Sequence, residues 1–422
     1  MLRPARKLLL VILIPVLFTS CFSQGEPGQL SVYGPYVGRE ADIFSEALDA
    51  FEAKTGITTN YVGSSSFQSD FEERVNSGQL PDVIVLPTLA LLGILVENDQ
   101  VTALDAETTV RMTETVGEFW SGVLAANGRA IAVPYRFVVK SIVWYRADVF
   151  EKERYEIPPT LADLMTLARQ MVRDGYTPWC AGMDSQLATG WWATDWVEDL
   201  VVREADIDTY WSWAQLDTPF TDPAIVSAMS ELQDFFGSDD LLNGGRRALL
   251  NTRVEDAITP MFDEQPGCLM HKQASFQPVW LPDGVEFGDG RLNIFPLPGV
   301  KHGNPPMMIS GEVIAVTSAS PQASAFMKFL LTDEALQPWL ERGGSLVARE
   351  GQGSIPGGRP LDRRLAQWVE DAPTVVLDAS DLMPPAIGSD AFFSGMIDLV
   401  AGRSPEDVAA RIQDAIDGLP SD

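Results

Sequence analysis

The sequence predicts an α/β fold, and three observations carry that prediction. Short apolar strands alternate with helically spaced segments up to Leu86. Residues 175–300 break the rhythm with Trp, Gly and Pro, and strand–helix alternation returns from Gly311. Strands that alternate with helices at this pace form a mainly parallel sheet with helices on both faces.

Leu30 to Tyr33 reads as the first strand, stopped by Gly34-Pro35. Ile43, Phe44, Ala47, Leu48 and Phe51 then recur at helical spacing, and Gly56 falls where a helix ends. Thr58–Val62 is the next strand, Phe67–Val75 the next helix, and Pro81–Leu86 a short continuous apolar strand. A helix is expected near Val110–Leu124, and an apolar, β-rich run follows at Lys140–Tyr145. Thr160 with Asp163 makes a cap for a helix through Met171. After the interruption, Glu312–Val316 is a strand and Pro321 opens a helix through Leu330. Ser404-Pro405 starts a last helix that buries Val408, Ile412 and Ile416.

The N-terminus reads as an export signal over residues 1–21. Arg3, Arg6 and Lys7 precede the apolar run Leu8–Phe18, which is too short to span a bilayer, and Thr19-Ser20 lead into Cys21. A cysteine at this place resembles a bacterial lipobox, with Phe18 where Leu is usual, so lipidation of Cys21 is expected. An ordinary cleaved signal is the alternative. Residues 22–29 are small and polar and form a tether.

The chain is 45% hydrophobic with mean hydropathy +0.02, enough for a large core. Net charge is −29, and three basic residues lie in the signal. So acidic a surface repels nucleic acid and anionic membrane faces, which excludes a nucleic-acid role. Membrane contact is expected only through the lipid anchor. Of three cysteines, Cys180 and Cys268 remain after Cys21, and an exported protein is expected to pair them. Two buried thiols are the alternative. The two histidines, His271 and His302, have no metal-like spacing, and neither a metal site nor a cofactor is expected.

Three stretches carry a family resemblance. They are Pro178–Gly182 continuing through Ala188–Asp199, Gly267–Phe276, and Asp378–Pro384 with the Phe392–Met396 run. The chain resembles the extracellular solute-binding proteins of ABC importers, of the maltose-binding-protein type, and is similar above all to their α-glucoside-binding branch. The resemblance implies a two-lobe periplasmic-binding-protein-like fold with hinge-connected, discontinuous lobes. Lobe one takes 27–137 and 312–346, and lobe two 138–311 and 347–422, with crossings near Tyr135–Lys140, Gly311 and Leu346. It also implies a monomer in the periplasm, or on the outer face of the cytoplasmic membrane, that closes on solute and docks on permease subunits.

Sugars offer C–H patches to flat aromatics and hydroxyls to carboxylates and amides. Trp191, Trp192 and Asp195 in one Gly-started segment are therefore ligand candidates, against the alternative that such tryptophans are core. Ser64, Ser65 and Ser66 open a helix at the expected cleft edge, where capping is the alternative. Tyr36 and Pro87 follow strands at their carboxyl ends. Asp184 and Ser185 lie in a loop after Cys180, and a Cys180–Cys268 bridge would draw Gln273 towards them. Arg349 follows a crossing, and Tyr135, Gly311 and Glu312 lie at crossings. The expected ligand is an oligosaccharide, with a polyol, a quaternary-ammonium osmolyte or a polyamine as alternatives. An exported glycoside hydrolase using Asp184 and Asp195 is the competing class.

Overall fold

A computed structural model of the chain describes residues 28–346 and 359–419. The signal, Cys21 and Arg349 lie outside the described residues. The first segment alternates as its pattern predicts through β1 (Gln29–Gly34), α1 (Arg39–Thr55), β2 (Thr58–Gly63), α2 (Phe67–Ser77) and β3 (Val83–Leu86), and α3 (Leu89–Glu97), which the sequence reading leaves unassigned, follows. Gly56 ends α1 in the left-handed conformation. β3 is wholly buried, which is why its pattern is continuous rather than alternating. α4 (Ala106–Val123) leads to a small hairpin of β4 (Ala125–Ala126) and β5 (Arg129–Ala130).

Next come β6 (Ala132–Val139), β7 (Ile142–Arg146), α5 (Ala147–Glu153), α6 (Leu161–Arg173) and α7 (Trp191–Glu204). Thr160 caps α6 by accepting the Asp163 N–H at 3.1 Å. Residues 175–300 are mainly helical, with β8 (Met270–Lys272) and β9 (Leu292–Pro296) flanking β7 in an antiparallel sheet. β10 (Met307–Val316) and β11 (Val375–Leu377) complete the strands. The sequence reading places the returning signal at Gly311 and starts this strand only at Glu312. Pairing on both sides carries the strand straight through Gly311.

β10 organises the molecule. Met307–Ile309 pairs in parallel with β11, whereas Val313–Val316 pairs antiparallel with β3. β6 runs antiparallel along its other side throughout, with a register shift between Gly311 and Val313. Ser310–Glu312 is thus the place where β10 exchanges one neighbour for another. β3 continues into β1 and β2, all parallel.

The cores follow the same division. One is built from Leu30 through Tyr135 and Val313 through Leu340, with Val279 added. A second gathers around α6, α7 and the C-terminal helices. A smaller third holds Trp144, Cys180 and Cys268. Cys180 and Cys268 form a disulfide with Cα atoms 5.2 Å apart across a separation of 88 residues. No helix among the described residues is long and apolar enough to cross a membrane.

Candidate functional site

The crossing strands bring two charged clusters to the junction of the cores. Arg136 on β6 donates to Glu312 on β10 through Nε (2.6 Å) and Nη2 (2.8 Å), and to Glu40 on α1 at 2.8 Å. Tyr36 adds its hydroxyl to Glu312, and the guanidinium lies 3.7 Å from the Trp339 ring centroid. Burial disfavours the Arg136 charge, but Glu312, Tyr36 and Glu40 outweigh it and hold the pKa well above its ordinary value. Burial also raises Glu40, with Arg136 opposing. Both carboxylates keep a partly accessible edge (23% for Glu40, 17% for Glu312), so this buried cation presents acceptors outward.

The second cluster lies under α7. Lys140, just past β6, donates to both oxygens of Asp195 (2.9 and 3.0 Å) and pairs with Asp378 at 3.0 Å. Burial raises Asp195 to about 7, with Lys140 pulling the other way. Glu198, one turn on, accepts the N–H groups of Ala379 (3.0 Å) and Ser380 (3.3 Å), and burial holds its pKa well above the carboxylate range. Asp199 takes Lys272 at 2.8 Å, Arg203 at 2.6 Å and the Ser141 hydroxyl. Asp381 accepts from the Ser310 hydroxyl, and its carbonyl accepts the Ala90 N–H at 3.0 Å, so this loop touches α3 directly.

Aromatic surface stands beside the charges. Trp191, Phe276 and Trp280 are each only partly buried. Their ring centroids are 6.2 Å (Trp191–Phe276) and 4.7 Å (Phe276–Trp280) apart, and Lys140 lies 5.3 Å from the Trp191 ring centroid. Trp191 opens α7 because Gly190 at φ 126° packs against Phe393, where a Cβ would meet backbone oxygen at 2.5 Å. On the other side, Trp120 and Phe137 lie 4.4 Å apart and line a small hollow with Leu89, Ser310 and Asp381.

The structure distributes the predicted residues unevenly. Gly311 and Glu312 lie at the crossing strands, and Trp191 stands at the junction; Tyr36 is corrected to core, 1% exposed, and acts on the site only by donating its hydroxyl to Glu312. Trp192 is corrected to core: it is 2% exposed, and its Nε1 donates to the Lys272 carbonyl at 3.0 Å. Tyr135 is also core, donating to the Ala335 carbonyl and accepting from Trp339. Gln273 is 2% exposed, with its Oε1 taken by the Ala274 N–H. Asp195 is bound to Lys140 rather than presented freely.

Ser64 gives its hydroxyl to Asp70 and accepts the Ser66 N–H, while Ser65 is exposed and Ser66 makes no side-chain cap. Asp184 accepts from Gln186 and Thr189, and the Ser185 N–H donates to Thr189, so both close their own loop. Pro87 is half-buried just before α3. Glu40, Arg136, Lys140, Asp378, Phe276 and Trp280 escape the sequence reading. Asp381 lies in the Asp378–Pro384 stretch that carries the family resemblance but is not singled out there as a ligand candidate. The available signal is Arg136 and Lys140, charges bracketing an apolar strand.

Two cores joined by crossing strands, with aromatics and carboxylates gathered at the junction, define a two-lobed solute receptor. Residues 38–244 match the model of the bacterial extracellular solute-binding protein family. The chain is 34% identical to the alpha-glucosides-binding periplasmic protein AglE of Rhizobium meliloti, over 92% of this chain and 87% of that one. It is 30% identical to the osmoprotective compounds-binding protein GgtB of Synechocystis, over 96% and 98%. The solved structure of the bacterial solute receptor AcbH superposes with a TM-score of 0.78 at 18% identity, covering 92% of this chain and 98% of that one. The chain belongs to the bacterial extracellular solute-binding protein family. Its members are receptors, so the hydrolase alternative falls.

Proposed function

We propose that this protein captures an oligosaccharide, an α-glucoside, between lobes formed by 27–137 with 312–346 and 138–311 with 347–422, and delivers it to an ABC permease. The carrying observation is the partly exposed row Trp191–Phe276–Trp280 beside Lys140 and its carboxylates, with the part-accessible Glu40 and Glu312 held by Arg136 at the crossing strands. Stacking covers sugar C–H faces, while Glu40, Glu312 and Asp381 take hydroxyls in pairs. Ser65, Pro87 and Gly311 belong to the same cleft in this reading, with the buried Tyr36 supporting Glu312 from behind. Likeness to AglE supports the α-glucoside. Export under the N-terminal signal and a lipid on Cys21 complete the proposal, and mass spectrometry of the mature N-terminus tests the lipid.

A second solute class, an osmoprotective compound, is favoured by likeness to GgtB along nearly the whole chain and by the −29 charge, which suits a saline setting. Calorimetric titration against maltose, sucrose, trehalose, polyols and quaternary-ammonium osmolytes separates the two. Micromolar or tighter affinity, about −8 kcal/mol or better, is expected for an α-glucoside. Binding confined to a quaternary-ammonium osmolyte would overturn the sugar reading.

A further inference from the structure

The three rings proposed to stack on solute are not carried by one body. Trp191 opens α7 and packs against the core gathered around α6 and α7. Phe276 and Trp280 lie in residues 275–281, inside the range proposed for lobe two, yet that segment is fastened to lobe one. Val279 is 7% exposed and belongs to the core built from Leu30 through Tyr135 and Val313 through Leu340. Trp280 packs against both cores. Ser275 donates its hydroxyl to the carbonyl of Gly344, and Gly344, at φ 85°, comes so close that a Cβ there would stand 1.7 Å from the Ser275 carbonyl oxygen.

Arg39 supplies the outer tie. It is the first residue of α1, in lobe one, and its Nη1 donates to the carbonyls of Val279 and Leu281, both at 3.3 Å. One nitrogen thus grips the backbone on either side of Trp280. Nη2 faces Asp283 at 3.8 Å, an ion pair exposed at both ends and weak by itself. A guanidinium holds its donors in a rigid planar fork, so two carbonyls and a carboxylate met together select one placement of the segment. The Phe276 ring stands edge-on to Trp280 with centroids 4.7 Å apart, so holding one ring holds the other.

We infer that Arg39 is a positioning residue for solute stacking: it fixes Trp280, and through it Phe276, so that lobe one presents two rings to the third, Trp191, on lobe two. This role rests on the stacking reading of the site. Rings already held in their bound arrangement lose less freedom when solute arrives, and the saving appears as affinity.

The test titrates the mature protein and its Arg39→Ala, Trp280→Ala and doubly substituted variants with maltose, sucrose and trehalose. Near-ultraviolet circular dichroism of the empty proteins runs beside it. Arg39 is exposed, so its replacement should leave the unfolding temperature close to wild type. Arg39→Ala should raise the Kd of the sugar that binds about three- to tenfold, and Trp280→Ala about tenfold or more. In the double variant the losses should not add, because Arg39 acts through a ring already removed. Arg39→Lys, which keeps a charged donor on a flexible stem, should recover part of the affinity. Arg39→Ala should also diminish the aromatic dichroism, and should leave it unchanged when Trp280 is already Ala. Wild-type affinity in Arg39→Ala, or losses that add, overturns the role of Arg39 alone. Wild-type affinity in Trp280→Ala overturns the stacking reading on which that role rests. If none of the sugars binds, the capture reading fails and the dichroism still decides the positioning: a spectrum unmoved by Arg39→Ala sinks it.

Discussion

Phe137 packs directly against Gly311: a Cβ placed on Gly311 would stand 2.0 Å from the ring's Cε1. The contact joins β6 to β10 where β10 exchanges β11 for β3, and Trp120 packs on the same ring with centroids 4.4 Å apart. Gly311→Ala must push Phe137 away, at a cost of about 1–3 kcal/mol as for other overpacked sites. Thermal unfolding should show the loss, and ligand affinity should fall with it because Phe137 sits at the crossing. An alanine variant with wild-type stability and affinity would remove this contact from the hinge.

Neighbouring tryptophans should behave oppositely. Trp191→Ala leaves the core intact and should weaken sugar binding tenfold or more, about 1.4 kcal/mol, with a small change in unfolding temperature. Trp192→Ala empties a packed site and should destabilise by about 3–5 kcal/mol. Calorimetric titration paired with thermal unfolding of both variants checks the contrast. Reversal of the two effects would move the ligand to the other indole.

The Cys180–Cys268 bridge spans 88 residues of separation between segments that also share backbone bonds, Cys180 N–H to the Met270 carbonyl among them. Replacing both cysteines by Ala should cost roughly 4 kcal/mol on the chain-entropy account. Denaturant unfolding measures this, and an unchanged midpoint would refute it.

Acidity should stabilise the protein before it unfolds it. Burial raises Asp195 from 3.8 to about 7, so the folded state binds the extra proton between those values, and stability falls as pH rises across that window. Asp378 runs the other way. Although burial opposes it, Lys140 and Glu198 hold it at about 2, and its contribution is lost as pH falls from 3.8 through 2. The melting temperature should be higher at about pH 5 than at about pH 8, and should drop below about pH 3. Asp195→Asn should flatten the fall between about pH 5 and pH 8. A wild-type melting temperature that climbs steadily from pH 5 to 8 would contradict the burial of this carboxyl.

Much of the fold is legible in the sequence because it is local. The spacing of Ile43, Phe44, Ala47, Leu48 and Phe51, the caps at Thr160 and Ser404, and the continuous Val83–Leu86 run each fix an element through its immediate neighbours. The site is less legible. Trp191 and Trp192 are chemically identical neighbours, and only the direction in which α7 leaves Gly190 sends one to the junction and the other to the core. Glu40 looks like any acid in a first helical turn until Arg136, ninety-six residues away, reaches it.

The sequence by itself determined the α/β class, the interruption and return of the pattern, the two cysteines left to pair, and the acidity that excludes nucleic acid. These follow from periodicity, counting and net charge, which need no partner in space. Only the tertiary structure decided that β10 runs unbroken through Gly311, that Arg136 and Lys140 anchor two carboxylate clusters, and that Trp191 rather than Trp192 remains open. Those outcomes depend on burial and on pairs far apart along the chain, where one residue's role is set by what packs against it.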